Sequence, residues 1–494
     1  MLKKTRYIFC AFGLGLGVSC TTPPGTDIRV AAGLANAVQF RDEALPTDAS
    51  PVSNALDLPG AIKRAVRQSP VLQAALAEVR AAQADARQSR LLPNPVLNIV
   101  IRQSDSGGDS VTEAGLSADL AAVLQTPRRI RAADNRLRVA SAKAVGAVLD
   151  VIANTEKCYH TANALRLEVT LFERSAGHID RLLQIARRRL TAGEGTRLDV
   201  ATLEARHAET RIDLQDRRLS LTHERLTLAR LLGQPSGAAA WQQTTPLPVV
   251  ATAGPEASWL TAALRNRPEI QADRWQLATL EDGRALARLA WLESSAAGLD
   301  TEREDDWSLG PSLAVPLPLF DWGQARRAKA RALAITARHR LTQTMRLTVQ
   351  EVRQAHVAQA RLATAAVQAR EQLTPLQQQR VGLARAVYES GQSEITPLLL
   401  AELDLQKAQL RRVQLELRAA VAAIELRRVS GGGGAHASRV WIPASTPESS
   451  SGNTWIEPWE GRPGRYAMAR TLRQIQPMTL QFVESTTKAS TQKQ

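Results

Sequence analysis

The feature that most constrains this chain is an internal repeat. Ala65-Val66-Arg67-Gln68-Ser69-Pro70 is echoed by Ala263-Leu264-Arg265-Asn266-Arg267-Pro268, with Ala, Arg and Pro recurring at an offset of 198 residues. The same offset pairs Ala74 with Ala272, Leu91 with Leu289, Val151 with Val349 and Ala162 with Ala360. It also pairs Arg187 with Arg385, Gly193 with Gly391, Glu204 with Glu402 and Gly233 with Gly431. One fixed spacing held over so long a stretch means one supersecondary unit used twice. The chain therefore divides into a first copy over 54–233, a linker over 234–251 and a second copy over 252–431.

Both copies predict the same order of elements. A helix over 56–90, and again over 256–290, carries Pro70 or Pro268 where a proline breaks or restarts a helix. Two short extended segments follow: 96–102 and 115–124 around a polar turn at 104–109, then 295–301 and 309–317 around 302–306. A very long helix runs over 128–191 and over 323–389, the second holding Pro375. The turns Gly193-Glu194-Gly195 and Gly391-Gln392-Ser393 reverse the chain into a return helix. Ala, Leu, Arg, Gln and Glu, all helix formers, dominate, while aromatics make up only 4% of the 494 residues. That composition argues against a sandwich, a propeller or a single-chain porin barrel.

The long helices carry a heptad pattern. Val151, Cys158, Ala162, Leu165, Val169, Phe172, Ala176, Ile179, Leu183, Ala186 and Leu190 form the outbound seam of the first copy. Leu198, Ala205, Ile212, Leu219 and Leu226 form the expected return seam. In the second copy Ala355, Leu362, Ala369, Leu376 and Leu383 run out, and Leu403, Leu410, Leu417 and Ile424 run back. A 3.5-residue period winds helices into a left-handed coiled coil. Four short strands, by contrast, leave two open sheet edges, which a bilayer does not tolerate. The in–out alternation of 96–102 is weak, yet its length suits a membrane strand. If the strands span, several subunits must pool them, and three would give twelve, an even number as in bacterial barrels.

The N-terminus is a targeting segment. Lys3, Lys4 and Arg6 precede an apolar stretch that ends in Gly17-Val18-Ser19-Cys20. The string resembles a bacterial lipobox, which makes 1–19 a signal peptide and Cys20 the acylated residue. Residues 20–53 form an N-terminal linker. From 432 to 494 the chain is a low-complexity tail that opens on glycines and holds Trp441, Trp455 and Trp459.

Several strings carry a family resemblance: Leu91-Leu92-Pro93-Asn94-Pro95, Arg67-Gln68-Ser69-Pro70 with Arg267-Pro268-Glu269, and Arg189-Leu190-Thr191-Ala192-Gly193 with Leu198-Asp199-Val200. The fullest is Pro316-Leu317-Pro318-Leu319-Phe320-Asp321-Trp322-Gly323. On these, over 54–431, the chain resembles the TolC-like outer membrane efflux proteins. The resemblance implies a mainly α fold with a small β part, in which long antiparallel coiled-coil helices join four strands per chain of a trimeric twelve-stranded barrel. It implies a homotrimer in the outer membrane of a Gram-negative-type cell, extending into the periplasm, in contact with outer-membrane lipid. A periplasmic adaptor and an inner-membrane pump are the implied partners, and passive conduction of the pump's substrate is the implied function. Family members often close the tunnel tip with acidic residues. Here Glu194, Asp199 and Glu394 are the gate candidates and Gly193, Gly195 and Gly391 the tip turns. Pro397 stands where the second copy would repeat Asp199.

Other chemistry finds little support. Arg187-Arg188-Arg189 and Arg326-Arg327 sit among Glu and Gln without an aromatic platform, so nucleic acid is not expected. The net charge of +15 is spread along helix faces. Seven histidines show no i,i+4 pair, no phosphate-cradling or nucleophile-elbow motif occurs, and three cysteines, two of them in the first 20 residues, rule out a Cys-rich zinc site. No catalysis, metal or cofactor is expected. The remaining alternative is a periplasmic coiled-coil adaptor or scaffold without a membrane barrel. Such a protein would carry one hairpin inside β-rich domains, whereas two hairpins here alternate with two strand pairs.

Overall fold

The computed structural model describes residues 43–49, 55–102, 111–303, 307–390, 392 and 394–432. The signal peptide, Cys20, Gly391, the strand-linking residues 103–110 and 304–306 and the tail from 433 lie outside the described residues, while 302 and 303, expected in the second turn, belong to a strand. In chain order the first copy is β1 (Ala55–Leu56), α1 (Leu58–Gln68), α2 (Pro70–Gln88), β2 (Val96–Arg102), β3 (Val111–Asp119), α3 (Leu120–Thr191) and α4 (Arg197–Leu231). After β4 (Gln242–Gln243), the second copy is α5 (Glu256–Asn266), α6 (Pro268–Leu286), β5 (Ala296–Arg303), β6 (Trp307–Ala314), α7 (Gln324–Gln368), a π turn (Ala369–Leu373), α8 (Thr374–Glu389) and α9 (Ile395–Val429). The repeat holds to the residue: α1, α2 and α4 recur as α5, α6 and α9, each pair of equal length and 198 residues apart.

Each expected leading helix is in fact two helices. A residue before proline is pushed out of the helical region, and Ser69 and Arg267 are extended at ψ 112° and 123°. Ser69 then caps α2, its Oγ accepting from the Leu72 amide at 3.3 Å. The second strand ends at Asp119 rather than 124. The Asp119 carboxylate accepts from the Ala122 amide at 2.9 Å and starts α3 eight residues before the expected position. Pro127 thus lies inside α3 as its eighth residue, where it gives up the ladder bond to the Val123 carbonyl. At 72 residues, α3 runs about 108 Å. The matching rod of the second copy is interrupted. Pro375 cannot donate a backbone hydrogen bond, and just before it the ladder shifts to i→i+5, with the Thr374 amide and Oγ1 both donating to the Ala369 carbonyl.

The four long strands form one antiparallel sheet in the order β2-β3-β5-β6, so the two copies meet at β3 and β5. Its edges, β2 and β6, have no partner among the described residues. The helices are arrayed in the same open way. The N-terminal half of α3 lies between α2 and α6, and its C-terminal half between α4 and α9, while α9 in turn packs on α7 and α8. The array therefore ends laterally at α2 and α4 on one side and at α7–α8 on the other.

The core is a string of small clusters rather than one centre. Where β1, α1, α3 and α4 meet, Leu56, Ala61, Tyr159, Leu228 and Leu232 are buried together with Trp241 from the linker. That linker is not slack. β4 pairs in parallel with β1, Gln243 Nε2 donates to the Tyr159 carbonyl at 2.9 Å, and Tyr159 Oη donates to the Leu56 carbonyl at 2.9 Å. The outbound seam of the first copy is buried or half-buried as the heptads require, Cys158 included. The return seam is corrected: Leu198, Ala205, Ile212, Leu219 and Leu226 face away from α3. The side chains packed on α3 are instead Leu203, Leu214, Leu221 and Leu228. Leu376 and Leu383 of α8 are likewise exposed, at 63% and 64%. Two heptad stripes occupy α4, and the periodicity alone does not say which one its own hairpin uses.

Candidate functional site

The sheet separates two chemistries. Directly paired residues of an antiparallel sheet lie on one face, so the register sorts the strands into rows. Leu97, Leu116, Leu299 and Pro311 form one row of a common face. Ile99, Ala114, Thr301 and Leu309 form the next, and Ile101, Thr112, Arg303 and Trp307 the last. At this end the Arg303 guanidinium stacks on the Trp307 ring 5.7 Å from its centre. The opposite face carries Val96, Ser117, Gly298 and Ser312, then Asn98, Gly115, Asp300 and Gly310, then Val100, Glu113, Glu302 and Ser308. One face is apolar with an aromatic–cation rim. The other is small and polar, with Arg102 bridging Glu113 at 2.5 Å. Alternation that looks weak along β2 alone is clear once four strands are in register.

Glycine is required on the polar face. A Cβ on Gly115 would stand 2.3 Å from Asp300 Oδ1, and one on Gly298 would stand 2.5 Å from the Leu116 carbonyl oxygen. Asp300 therefore lies over the backbone of its neighbour strand, which only a residue without a side chain permits.

The far ends of the helices make the two tips. α3 closes with a Schellman turn: Gly193 has φ 78°, its amide donates to the Leu190 carbonyl, and the Glu194 amide donates to the Arg189 carbonyl at 2.8 Å. The second tip repeats the last bond as Gln392 to Val387 at 3.2 Å. Of the expected gate residues, Asp199 sits in a capping box. Its Oδ2 accepts from the Thr196 amide at 3.1 Å and its own amide donates to Thr196 Oγ1. Glu194 is exposed on the turn, and Glu394 is exposed at the N-cap of α9 without a side-chain capping bond. The tips are joined by a pair the heptads do not reveal. Arg189 Nη1 donates to Tyr388 Oη at 3.2 Å, with the guanidinium 5.6 Å from the ring centre. This contact holds the Arg189 guanidinium above its ordinary pKa. Beneath it Ile179, Leu183, Ala186 and Leu203 of the first hairpin enclose Ile395 of the second.

Polar groups also stitch α3 to α9. Lys157 pairs with Glu425, Glu156 with Arg427 at 2.8 Å and Asp150 with Arg428 at 2.5 Å. His160 is buried beside them, edge-on to Tyr159. Burial and then the Arg427 charge push its pKa down to about 4. Burial pushes the Glu156 and Glu168 carboxyls up, against the pull of Arg427 and Arg217. The Cys158 thiol is raised far above the range in which a thiolate forms, chiefly by burial. No cluster of His, Cys, Asp and Glu suited to a metal ion occurs among the described residues, and no helix there is long and apolar enough to cross a membrane.

The family described as outer membrane efflux protein matches residues 61–234 and 259–432, once per copy. The chain belongs to the outer membrane efflux protein family. Among relatives of this efflux protein is the pyoverdine export outer membrane protein OpmQ of Pseudomonas aeruginosa, 26% identical over 471 residues, covering 85% of this chain and 94% of that one. The cobalt-zinc-cadmium resistance protein CzcC of Cupriavidus metallidurans is 24% identical over 387 residues, covering 76% and 90%. The crystal structure of the outer membrane protein VceC from Vibrio cholerae shares the fold at a TM-score of 0.64 and 20% identity, covering 76% of this chain and 96% of VceC. The efflux protein thus resides in the outer membrane, and its four strands are the membrane part of an α/β channel fold.

Proposed function

We propose that three copies of this chain close into one channel, which conducts a substrate handed over by an inner-membrane pump through a periplasmic adaptor. The observation that carries this is the pair of unpartnered edges on an otherwise two-faced sheet. A sheet with one apolar face and open edges is stable in a bilayer only when β6 of one copy pairs with β2 of the next. Two copies would give eight strands, a barrel whose interior side chains fill. Three give twelve, and the Gly, Ser and Asp rows then line a water-filled lumen. The same closure brings the exposed leucines of α4 against those of α8 in the neighbouring copy. Mass measurement in mild detergent together with single-channel recording tests this. Conducting trimers are expected, and a conducting monomer would overturn it.

The tips are read as the gate. The Arg189–Tyr388 contact holds the two hairpins together, and Glu194 and Glu394 stand three times each around the opening. A ring of like charge in a constriction favours cations. Asp199 is engaged by its capping box and serves the return helix first. The double change Asp199→Asn with Glu394→Gln is expected to lower cation preference in single-channel recordings. Unchanged selectivity with lowered thermal stability would leave Asp199 as a cap alone and Glu394 without a gate role.

Cargo follows the partners. One relative is named for pyoverdine export and the other for cobalt-zinc-cadmium resistance. Chains with this fold thus serve unlike cargoes, which supports placing selection in the pump. Cys20 acylation adds a second anchor to this reading and is tested by lipid labelling.

A further inference from the structure

The barrel reading above leaves one surface unused, at the end of the sheet where the helices begin. Large apolar side chains are exposed there on all four connections. Leu91 and Leu92 follow α2, Val123 and Leu124 lie in the first turns of α3, and Trp291 follows α6. Between β6 and α7 the segment 315–323 exposes Leu317, Leu319, Phe320 and Trp322, with Phe320 at 91%. This lip is braced rather than loose. The Gly323 amide donates to Asp321 Oδ1 at 2.7 Å, Arg326 bridges Asp321 and Glu293, and Arg327 Nη2 donates to the Trp322 carbonyl at 2.7 Å. Rigid exposed aromatics continuous with an apolar sheet face fit the headgroup boundary of a bilayer.

Cations stand next to this apolar rim on each connection. They are Arg87 on α2, Arg128 and Arg129 on α3, Arg288 after α6, and Lys329 and Arg331 on α7. None of the six forms a salt bridge among the described residues, although the half-buried Arg128 acts with Arg131 on the Asp282 carboxylate; the other five are exposed. The carboxylates of the same zone are mostly taken up: Asp134 by Arg90, Asp282 by Arg131, and Glu293 and Asp321 by Arg326, while Asp119 caps α3. At 1.5 Å per helical residue, Arg128 lies roughly 12 Å from the start of α3 and Arg331 about 10 Å from the start of α7. These are depths at which long side chains snorkel into a phosphate layer.

We propose that the apolar rim and these six cations, five of them exposed and without a salt bridge, form a belt that binds anionic phospholipid headgroups in the membrane leaflet facing the helices. The proposal rests on the barrel described above. Each cation close to an anionic surface contributes severalfold to the local preference for anionic lipid, and salt weakens that contribution.

The full chain is reconstituted in bilayers of equal parts phosphatidylcholine and phosphatidylglycerol, and the ratio of the two lipids retained after gentle detergent extraction is measured. The expected result is phosphatidylglycerol enriched at least about threefold over the bulk, falling toward the bulk ratio as salt rises. The variant Arg128→Gln, Arg129→Gln, Lys329→Gln, Arg331→Gln should lose the enrichment while still assembling. Wild-type protein that retains both lipids at the bulk ratio, or an enrichment insensitive to salt, overturns the proposal without any variant. An assembled quadruple variant that keeps full enrichment overturns it as well. Failure of the barrel reading is separable: it would appear as absence of conducting assemblies in either lipid alone.

Discussion

Arg187 Nη2 lies 2.6 Å from Glu204 Oε1 across the turn of the first hairpin, and 198 residues later Arg385 meets Glu402 at 3.2 Å in the second. Four residues matched only by their spacing in the sequence are thus two copies of one ion pair. Both arginines and Glu204 are about half exposed, so solvent screens the attraction. A double-mutant cycle with Arg187→Ala and Glu204→Ala should give a coupling of less than about 1 kcal/mol in urea unfolding. A coupling of several kcal/mol would mean the pair is desolvated in the assembled protein.

The two stripes of α4 predict opposite behaviours. Leu221 is 8% exposed and packed on α3, whereas Leu219 is 56% exposed. Leu221→Ala should destabilise the protomer itself by about 2–4 kcal/mol through the cavity it leaves. Leu219→Ala should leave the hairpin intact and lower the temperature at which assemblies dissociate on semi-native gels. Equal loss of helix content in both variants would count against an intersubunit stripe.

Tyr388→Phe removes the hydroxyl that receives the Arg189 hydrogen bond while keeping the ring beneath the guanidinium. If this contact latches the tips, single-channel recordings should show a larger or more often open conductance. Assembly should be unchanged, because the Ile395 cluster remains.

Gly298→Ala sets a Cβ against main-chain atoms of β3, which cannot rotate away. We expect a loss of folded barrel in heat-modifiability gels of about 1–3 kcal/mol equivalent, the usual range for overpacking. Gly310→Ala, which meets nothing within 4 Å, is the matched control and should be silent.

His160 predicts a pH dependence with a definite sign. Its native pKa of about 4 lies below the ordinary value of 6.5, so the unfolded chain binds the proton more readily. The neutral buried imidazole therefore keeps its full stability above pH 6.5 and loses it as pH falls toward 4, by about 3 kcal/mol at most. Glu156 and Glu168, raised by burial, act in the opposite sense: their penalty grows as pH rises above 4.5. His160→Gln should flatten the acid side of the stability curve between pH 6.5 and 4. A curve unchanged in that window would show that His160 is not protonated on unfolding.

Much of this was legible in the chain, and the misses have causes. The repeat was readable because Pro70 and Pro268, Gly233 and Gly431 do the same backbone work twice: each proline starts a helix, and each glycine ends one at positive φ. The return seam differs from the heptad expectation because Leu198, Ile212, Leu219 and Leu226 keep as strict a heptad as Leu214, Leu221 and Leu228. Periodicity reports that a stripe is apolar, not which of two apolar stripes its own hairpin buries. The end of β3 slipped because apolar residues continue through Leu120–Leu124, and the Asp119 cap outweighed them. Tyr388 was invisible because its partner lies in the other copy, and no local pattern encodes a contact across 199 residues.

The two rods that descend from the sheet differ in one respect. α3 holds an unbroken i→i+4 ladder past its only proline, and a helix of that kind flexes only gently along its length. Its counterpart changes register at Ala369–Leu373, beside the Arg370–Glu416 ion pair that ties it to α9. Sharp helix bends occur at prolines and π-bulges, so the second rod has a defined place to bend and α3 beyond Pro127 has none. The same unit has been written once as a strut and once as an arm with an elbow.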